Sequence, residues 1–328
     1  MNYPQIICIG EVLFDCLADQ LGKELKDVIS WTAYPGGAPA NVACGLVKLG
    51  VSAAFLCCVG RDQAGDELIE ILERMGVNLT GIQRHPTAPT RQVYVTRSQR
   101  GEGQFAGFGN IKSEEFADTK LDDKQLGESL FSKGKYLVMG TLALAYEQSQ
   151  QAIFKAIELA KKYQLKILID VNWRPVFWEN IEIAKPLITQ ILKEADFIKF
   201  SQEEANWLFE TENPQKIAQK FPQAKGILVT LGEKGCHYYL GKNQGIVKGF
   251  SVKAIDTTGA GDSFVAGFLS QCCRYEDEIL NNSEIAEQTI IYSNAVGALT
   301  STKPGAIAGQ PTQKEVEMWL KKMNKQKF

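Results

Sequence analysis

Short apolar segments alternate with amphipathic helical segments along most of this 328-residue chain, and this alternation limits the fold more than any other feature. The predicted strands are residues 5–10, 53–59, 136–139, 166–170, 197–200 and 226–230. The predicted helices are residues 38–49, 65–74, 147–163, 183–193, 261–273, 283–299 and 312–322. Strands that alternate with helices favour an α/β fold, in which helices cover both faces of a mostly parallel sheet. No repeat, linker or low-complexity tract divides the chain, so we predict a single domain over residues 1–328.

Two stretches interrupt this alternation. Residues 14–34 are polar and carry few helix signals, whereas residues 92–97 alternate in the manner of an edge strand. Residues 100–103 predict a turn, and residues 104–108 predict a returning strand. Because long insertions into a compact domain are often lids, we predict a small β-structured lid formed by residues 14–34 and 90–110. The strand edge in this lid invites pairing with a second copy, which makes the lid a candidate homodimer interface.

The composition argues against several classes of protein. A formal net charge of −2 disfavours nucleic acid and acidic membrane surfaces as partners. No apolar segment approaches the length of a membrane span, and the first residues lack the basic flank of a signal peptide, so we expect a cytoplasmic protein. None of the eight cysteines has C-x-x-C spacing, so we expect reduced, buried thiols. Neither His85 nor His237 has a motif that supports a metal site or a Ser-His-Asp triad.

A glycine-containing turn at residues 256–262, with the sequence Asp-Thr-Thr-Gly-Ala-Gly-Asp, leads directly into a predicted helix. Gly259 and Gly261 leave the backbone unobstructed, so that successive N–H groups can converge on one point at a helix N-terminus. Such a turn favours an anion site. Asp262 in the first helical turn suits a base that takes a proton from an alcohol attacking phosphorus. The alternative is that Asp262 only caps the helix.

Further polar residues follow the ends of the predicted strands, where an open parallel sheet binds its ligands. Asp15 suits sugar hydroxyls, although a solvated loop acid is the alternative. Gly36 and Gly37 permit close approach of a ligand, and the Asn41 amide both donates and accepts hydrogen bonds, as vicinal hydroxyls require. The alternative for this segment is a capped helix after a tight turn.

Polar residues also follow the later strands. Asp170, Asn172 and Arg174 are suited to orient phosphates or hydroxyls, and a loop ion pair between Asp170 and Arg174 is the alternative. Glu204 could hold hydrated Mg²⁺ through water, although an acid in a first helical turn is normal for dipole reasons. Small residues around Asn294 form either a slot for a flat ring or a close helix contact.

The segment 256–262, together with Gly36, Gly37 and Asn41, resembles the two signature motifs of the ribokinase/PfkB superfamily of carbohydrate kinases. The resemblance extends from Ile6 to about Thr312 and is strongest to fructokinases. It implies a three-layer α/β/α ribokinase-like fold with a mostly parallel central sheet and a small β-structured lid.

The resemblance also implies roles for individual residues. Asp262 is the implied catalytic base, and the amides of Gly259, Ala260 and Gly261 form the implied anion hole. The implied sugar-binding residues are Asp15, Gly36, Gly37, Asn41 and Asn172. Asn172 lies in a fructokinase-like Asp-x-Asn-x-Arg motif that faces the phosphates, and the implied nucleotide-binding residues are Asp170, Arg174, Thr230, Gly232, Gly235, Asn294 and Gly305. Glu204 is implied to hold Mg²⁺ through water, and Asp256 and Thr258 to bind a monovalent cation such as K⁺.

The chain departs from the fructokinase pattern in two places. Ser201 replaces the amide of the family's Asn-x-x-Glu motif, although Glu204 is retained. Gly103 and Gly109 stand where fructokinases commonly carry lid arginines, and Arg97 is the candidate replacement among the sugar-binding residues.

These observations predict an ATP-dependent sugar kinase that uses Mg²⁺ and converts D-fructose to fructose 6-phosphate. The alternatives within the superfamily are kinases for 2-keto-3-deoxygluconate, ribose, a sugar phosphate or a nucleoside. A non-catalytic sugar-sensing or scaffold protein is a further alternative, but such proteins tend to lose the base or the glycines. A dinucleotide-binding oxidoreductase is disfavoured because no G-x-G-x-x-G follows the first strand.

Overall fold

The computed structural model describes residues 3–99 and 103–325. The strands in this part of the chain are β1 (Ile6–Ile9), β2 (Leu13–Leu21), β3 (Trp31–Gly36), β4 (Ala53–Gly60), β5 (Asn78–His85), β6 (Gln92–Arg97), β7 (Gly103–Gly107), β8 (Tyr136–Met139), β9 (Lys166–Asp170), β10 (Phe197–Ser201), β11 (Gly226–Thr230), β12 (Gly235–Leu240) and β13 (Asn243–Lys248). The helices are α1 (Ala38–Lys48), α2 (Gln63–Arg74), α3 (Glu128–Phe131), α4 (Glu147–Lys162), α5 (Ala184–Leu192), α6 (Gln202–Phe209), α7 (Pro214–Ala218), α8 (Ala260–Tyr275), α9 (Glu278–Asn281), α10 (Ser283–Thr300) and α11 (Gln313–Lys325).

The strands form a nine-stranded and a four-stranded sheet. The nine-stranded sheet has the order β13-β12-β11-β10-β9-β8-β1-β4-β5. Its strands run parallel from β11 to β5, and the hairpin of β12 and β13 adds two antiparallel strands at one edge. The predicted α/β fold with a mostly parallel central sheet is therefore confirmed.

Helices cover both faces of the nine-stranded sheet because successive residues of its buried strands point in opposite directions. On β1, Ile7 and Ile9 belong to one hydrophobic cluster, together with residues of α4 and α5. Ile6 and Cys8 belong to the other cluster, together with residues of α1, α8 and α10. The result is the predicted three-layer arrangement, with one apolar core on each side of the sheet.

The two stretches that interrupt the alternation meet in the four-stranded sheet. Its order is β3-β2-β6-β7, with β2 and β3 supplied by the first stretch and β6 and β7 by the second. The turn predicted at residues 100–103 falls mostly on residues 100–102, which lie outside the described residues. The returning strand, predicted at residues 104–108, is Gly103–Gly107. The role of this sheet as a lid stays a prediction.

All six predicted strands are present, and they are the ones that are buried on both faces. Strand β5 was not predicted, because its sequence is polar and contains Gly81. An edge strand can carry such residues since one side faces no other strand, and β5 ends the sheet.

Two expectations from composition have structural counterparts. None of the helices in residues 3–99 and 103–325 combines the length and the apolar character that a membrane span requires. The cysteines are all free thiols, and each is buried except Cys273, which is partly exposed.

Candidate active site

A cavity of about 840 Å³ lies between the carboxyl end of the nine-stranded sheet and one face of the four-stranded sheet. Side chains after β1, β8 and β9 line one wall, together with the start of α8. Alternate residues of two strands line the other wall, as the two-residue period of a strand requires. These residues are Leu13, Asp15 and Leu17 of β2 and Val93, Val95 and Arg97 of β6.

The turn at residues 256–262 ends at the cavity and starts helix α8. Gly259 is the N-cap of α8 and has a φ of +74°, in the left-handed region that favours glycine. A Cβ at Gly259 would also lie 2.7 Å from the Cβ of Ala306. Both the backbone conformation and the close approach of the 305–310 loop therefore require a glycine here.

Three backbone donors are available at the start of α8. Within the described residues, no acceptor takes the N–H groups of Gly259, Gly261 or Asp262. The N–H of Ala260, which belongs to the predicted anion hole, instead donates to the Thr257 carbonyl at 3.2 Å. Unpaired donors at a helix N-terminus attract an anion, so this end of the cavity suits a phosphate group.

The Asp262 carboxylate lies in the cavity lining, half-buried beside these donors. The Asn41 amide donates to Asp262 Oδ2 at 2.8 Å, which orients the carboxylate across the cavity. Burial raises the pKa of Asp262 above its ordinary value, against the Asn41 hydrogen bond and the charges of Lys199 and Arg174. A carboxylate with a raised pKa is a stronger proton acceptor. The position therefore suits a general base.

Two further carboxyl groups with raised pKa values face the same cavity. Burial raises the pKa of Glu11 to about 7, and its Oε1 accepts the N–H of Ala38 at the start of α1. Burial also raises the pKa of Asp15 to about 6, although Arg174 acts in the opposite direction. Sequence reasoning did not assign Glu11 to the site. The only available signal was its place directly after the first buried strand.

Both glycines before α1 are restricted by close neighbours. Gly37 lines the cavity with a φ of +103°, and a Cβ there would lie 2.5 Å from the Glu11 carbonyl oxygen. Gly36 is outside the lining, and a Cβ there would lie 2.7 Å from Asp15 Oδ2. The pair thus allows β3 to approach the chain after β1, which brings Asn41 to Asp262.

The segment after β9 reaches the cavity only with its later residues. Asn172 and Arg174 line the cavity, whereas Asp170 lies beneath it. The alternative ion pair between Asp170 and Arg174 is not formed, because Asp170 Oδ1 accepts from Lys199 Nζ at 3.0 Å. Lys199 was missed by sequence reasoning. Its signal is a cationic residue inside the apolar strand Phe-Ile-Lys-Phe.

Glu204 lies outside the cavity lining and has backbone partners on both oxygens. It is the third residue of α6, and its Oε2 accepts the Ser201 N–H at 2.7 Å in a capping box. Its Oε1 accepts the Trp173 N–H at 2.7 Å. These contacts leave the remaining lone pairs of the carboxylate for water rather than for direct coordination of a metal.

Asp256 connects the turn to the loop that carries Gly305. Its two oxygens accept the N–H groups of Thr258 at 2.9 Å and Gly305 at 2.8 Å. Burial raises the pKa of Asp256, but hydrogen bonds from the Thr258 side chain and from the N–H groups of Gly305 and Thr258 outweigh it and lower the pKa below its ordinary value. Asp256, Thr258 and Gly305 all line the cavity.

The other predicted nucleotide-binding residues lie outside the cavity lining. Thr230 Oγ1 donates to the Phe200 carbonyl at 3.2 Å. Gly232 and Gly235 have φ values of +59° and +107° in the turn between β11 and β12. The Asn294 amide donates to the carbonyls of Val247 and Lys248 at 3.3 and 3.4 Å, which joins α10 to β13.

Arg97 lines the cavity, but part of its guanidinium is committed to the backbone. Its Nε donates to the Ala18 carbonyl at 2.7 Å, and its Nη2 donates to the Asp19 carbonyl at 2.9 Å. These bonds fix the guanidinium between β6 and β2. The remaining N–H donors are the ones that a ligand in the cavity can reach.

The chain is similar to known proteins along nearly its whole length. The family model described as pfkB family carbohydrate kinase matches residues 4–313. The chain is 36% identical over 327 residues to probable fructokinase-5 of Arabidopsis thaliana, which covers 99% of both proteins. The crystal structure of a fructokinase with bound ATP from Xylella fastidiosa has a TM-score of 0.88 at 28% identity, covering 97% of this chain and 98% of that chain. A fructokinase from Vibrio cholerae O395 in fructose, ADP and calcium ion bound form has a TM-score of 0.83 at 29% identity, covering 96% of this chain and 98% of that chain.

Proposed function

The chain belongs to the pfkB family of carbohydrate kinases, and we propose that it transfers the γ-phosphoryl group of ATP to D-fructose and forms fructose 6-phosphate. Two names among its similar proteins support this proposal. The similar protein from Arabidopsis thaliana is a probable fructokinase, and the similar structure from Vibrio cholerae O395 holds fructose and ADP. The similar structure from Xylella fastidiosa holds ATP.

The observation that carries the proposal is the juxtaposition of three unpaired backbone donors with one carboxylate. The donors of Gly259, Gly261 and Asp262 suit the charge of a phosphoryl group, and the Asp262 side chain repels that charge. A carboxylate beside an anion site has no use as a phosphate ligand. It is useful as an acceptor for the proton of an attacking hydroxyl.

The proposed reaction divides the work between these groups. The sugar hydroxyl oxygen attacks the γ-phosphorus while its proton passes to the Asp262 carboxylate. The bond from the γ-phosphorus to its bridging oxygen breaks, and ADP leaves with that electron pair. The three amides stabilise the charge on the transferring group, and the Asn41 amide keeps Asp262 in place.

Mg²⁺ bound to the phosphates would neutralise part of their charge. No group of three or more candidate ligands for a metal occurs within residues 3–99 and 103–325. The residues present therefore fit a hydrated ion carried mainly by the nucleotide, with Glu204 acting through water. Asp256 and Thr258, beside the turn, are the proposed neighbours of K⁺.

The proposed sugar contacts come from both walls of the cavity. Asn41 Oδ1 is buried and lacks a hydrogen-bond partner among the described residues, so it is free to accept from a hydroxyl. Asp15 and Asn172 offer further polar atoms to the cavity, and the free donors of Arg97 take the place of the missing lid arginines. These polar atoms can hydrogen-bond the hydroxyl groups of a sugar that carries no charged substituent.

We further propose that residues 1–328 act as one domain with the four-stranded sheet as its lid, and that two copies pair through this sheet. Its outer strands β3 and β7 are free edges in the described structure. Exposed apolar side chains lie on or beside it: Leu21, Leu25, Ile29 and Phe105. Sedimentation of the purified protein tests the pairing, and a monomer at high concentration contradicts it.

A panel of acceptors tests the proposed function. Purified protein is incubated with ATP, Mg²⁺ and one candidate substrate at a time, and release of ADP is measured. We expect fructose to give the highest kcat/KM among fructose, ribose, 2-keto-3-deoxygluconate, fructose 6-phosphate and adenosine. Faster turnover of another acceptor overturns the substrate, whereas no turnover of any acceptor overturns the kinase reaction.

A further inference from the structure

Lys199 is a buried lysine at the centre of the nine-stranded sheet. It lies on β10, directly opposite Asp170 of β9 in the parallel register. Its side chain is 7% exposed, as is that of Asp170. A lysine is rarely buried unless it is paired, because removal of an ammonium from water is expensive. A single paired carboxylate would stabilise a buried lysine at any position in the core. The pairing with Asp170 therefore does not explain why Lys199 lies at this particular position.

The Lys199 ammonium lies against the turn that forms the anion site. A Cβ at Gly261 would lie 3.4 Å from Lys199 Nζ, and among the described residues no other atom beyond the adjacent residues and the backbone of α8 comes within 4 Å of that Cβ. Lys199 therefore occupies the open side of Gly261, one residue before Asp262. Of its three N–H donors, one is bonded to Asp170, the only hydrogen-bond partner of Lys199 within the described residues.

Negative groups outnumber positive ones around this ammonium. Burial acts to lower the pKa of Lys199, but Asp170, Glu204 and Asp262 together raise it above its ordinary value. Lys199 thus stays protonated at neutral pH. The titratable and charged groups that face Asp262 from its neighbouring elements are Glu11, Asp15, Asp170, Arg174, Lys199 and Glu204. Among these six, only Arg174 and Lys199 are cations, and Arg174 is exposed.

We propose that Lys199 is a positioning residue for phosphoryl transfer: fixed by Asp170 against Gly261, its ammonium offsets the surrounding carboxylates so that Asp262 enters the reaction as a carboxylate. This inference rests on the proposed function, since it concerns the base of that reaction. Lys199 lies outside the cavity lining. Its effect passes through the charge of Asp262.

The test is the pH profile of kcat for Lys199→Met, measured with saturating ATP and fructose. Met keeps the length of the side chain and removes the charge. Without the ammonium, the pKa of Asp262 rises, so the acid limb of the profile moves to higher pH by about one unit. We expect kcat at a pH well below the wild-type midpoint of the acid limb to fall about tenfold and kcat at pH 8.5 to stay within about threefold of wild type. The KM for fructose should change by less than about threefold.

Arg91→Met is the matched control. Arg91 is a second buried cation paired with one carboxylate, Asp118, at 2.7 Å. The same replacement there removes a buried charge that does not act on Asp262. We expect its acid limb to coincide with that of wild type. A shift of the limb in Arg91→Met equal to that in Lys199→Met overturns the proposal.

A second variant keeps the proposal testable if Lys199→Met does not fold. In the double variant Lys199→Met/Asp170→Asn, the unpaired Asp170 charge is also removed, so the protein should fold and its acid limb should return toward wild type. In folded Lys199→Met, a loss of kcat that is equal along the acid limb and at pH 8.5 assigns Lys199 a structural role only and overturns the proposal. So does an acid limb of Lys199→Met that coincides with that of wild type. In the double variant, an acid limb about one unit or more above that of wild type overturns it. If wild type itself phosphorylates no acceptor, the proposed function fails instead.

Discussion

Each wall of the cavity rests on a buried ion pair, and the two pairs differ in their surroundings. Beneath the wall formed by the nine-stranded sheet, Lys199 contacts Asp170 at 3.0 Å. At the base of the wall formed by the four-stranded sheet, Arg91 contacts Asp118 at 2.7 Å, directly before β6 begins. The side chains of Arg91 and Asp118 are 0% and 3% exposed, so the second pair is the more deeply buried.

Aromatic rings enclose the Arg91 pair. The guanidinium lies 4.6 Å from the ring centre of Phe116 and 5.1 Å from that of Phe177. The rings of Phe108 and Tyr146 lie at 5.3 and 5.6 Å. Phe177 also lines the cavity, so the cluster ties the four-stranded sheet to the segment after β9. Charges here balance one to one, whereas carboxylates are in excess around Lys199. The comparison suggests that the Arg91–Asp118 pair contributes to stability and that the Lys199–Asp170 pair contributes to the reaction.

Asp262→Asn is expected to have the largest effect. It tests whether the wall that carries Asp262 performs the reaction. Asn keeps the volume of the side chain and can accept the Asn41 hydrogen bond, but it cannot take up a proton. We expect kcat to fall about 10²–10⁴-fold, while the free energy of unfolding changes by less than about 1 kcal/mol. Turnover numbers and chemical denaturation of the same preparation check both parts. A folded variant with near-wild-type kcat refutes the assignment of the base.

Arg91→Met tests whether the Arg91–Asp118 pair contributes to the stability of the fold. It leaves Asp118 buried without its cation, and Asp118 Oδ1 already lacks a hydrogen-bond partner in the part of the chain that the structure describes. We expect the free energy of unfolding to drop by about 3–5 kcal/mol, with kcat of the folded protein within about threefold of wild type. The variant Arg91→Met/Asp118→Asn should recover much of the lost stability. If kcat instead falls as far as in Asp262→Asn, the two walls cannot be separated in function.

The sequence predicted the first wall better than the second, for a physical reason. Strands β1, β4 and β8–β11 are buried on both faces, and continuous apolar segments are specific to such strands. Strands β2 and β3 face the cavity on one side, so that Asp15 and other polar residues interrupt their apolar pattern. The pairing of β2 with β6 depends on contacts between residues 76–78 positions apart.

The two buried ion pairs could not be predicted from the sequence, for a related reason. Lys199 meets Asp170 through the register of two parallel strands, and Arg91 meets Asp118 across 27 residues that include β6 and β7. Neither spacing has a local signal. In contrast, the turn at residues 256–262 is a local motif whose glycines and acid are all adjacent, which is why its anion site could be predicted. The Ala260 amide, bonded to Thr257, is a detail that only coordinates supply.

Glu11→Gln tests the junction where the chain passes from β1 to β2. Burial raises the pKa of Glu11 to about 7 from its ordinary value of 4.5, so the folded wild-type protein binds more protons than the unfolded chain between these pH values. The stability from this group is present below pH 4.5 and is lost as pH rises through 7. Gln keeps an acceptor for the Ala38 N–H and does not titrate. From pH 5 to pH 8, we expect wild type to lose about 2–3 kcal/mol more unfolding free energy than Glu11→Gln. The unfolding free energies come from denaturation curves of both proteins at pH 5 and pH 8. If wild type and Glu11→Gln lose the same amount between these pH values, the prediction is wrong.

Asp15→Asn should have the smallest effect, and it tests whether the four-stranded sheet contributes affinity rather than rate. Asn retains one acceptor oxygen, so only the charge of the acceptor is lost, a difference of about 1 kcal/mol for a hydrogen bond. We expect the KM for fructose to rise about fivefold with kcat nearly unchanged. Since burial raises the pKa of Asp15 to about 6, wild type loses its charged acceptor as pH falls through that value. The wild-type KM should therefore rise below pH 6, and the KM of Asp15→Asn should depend less on pH. A fall in kcat at constant KM would place Asp15 with Asp262 in the chemistry and would contradict its assignment to sugar binding.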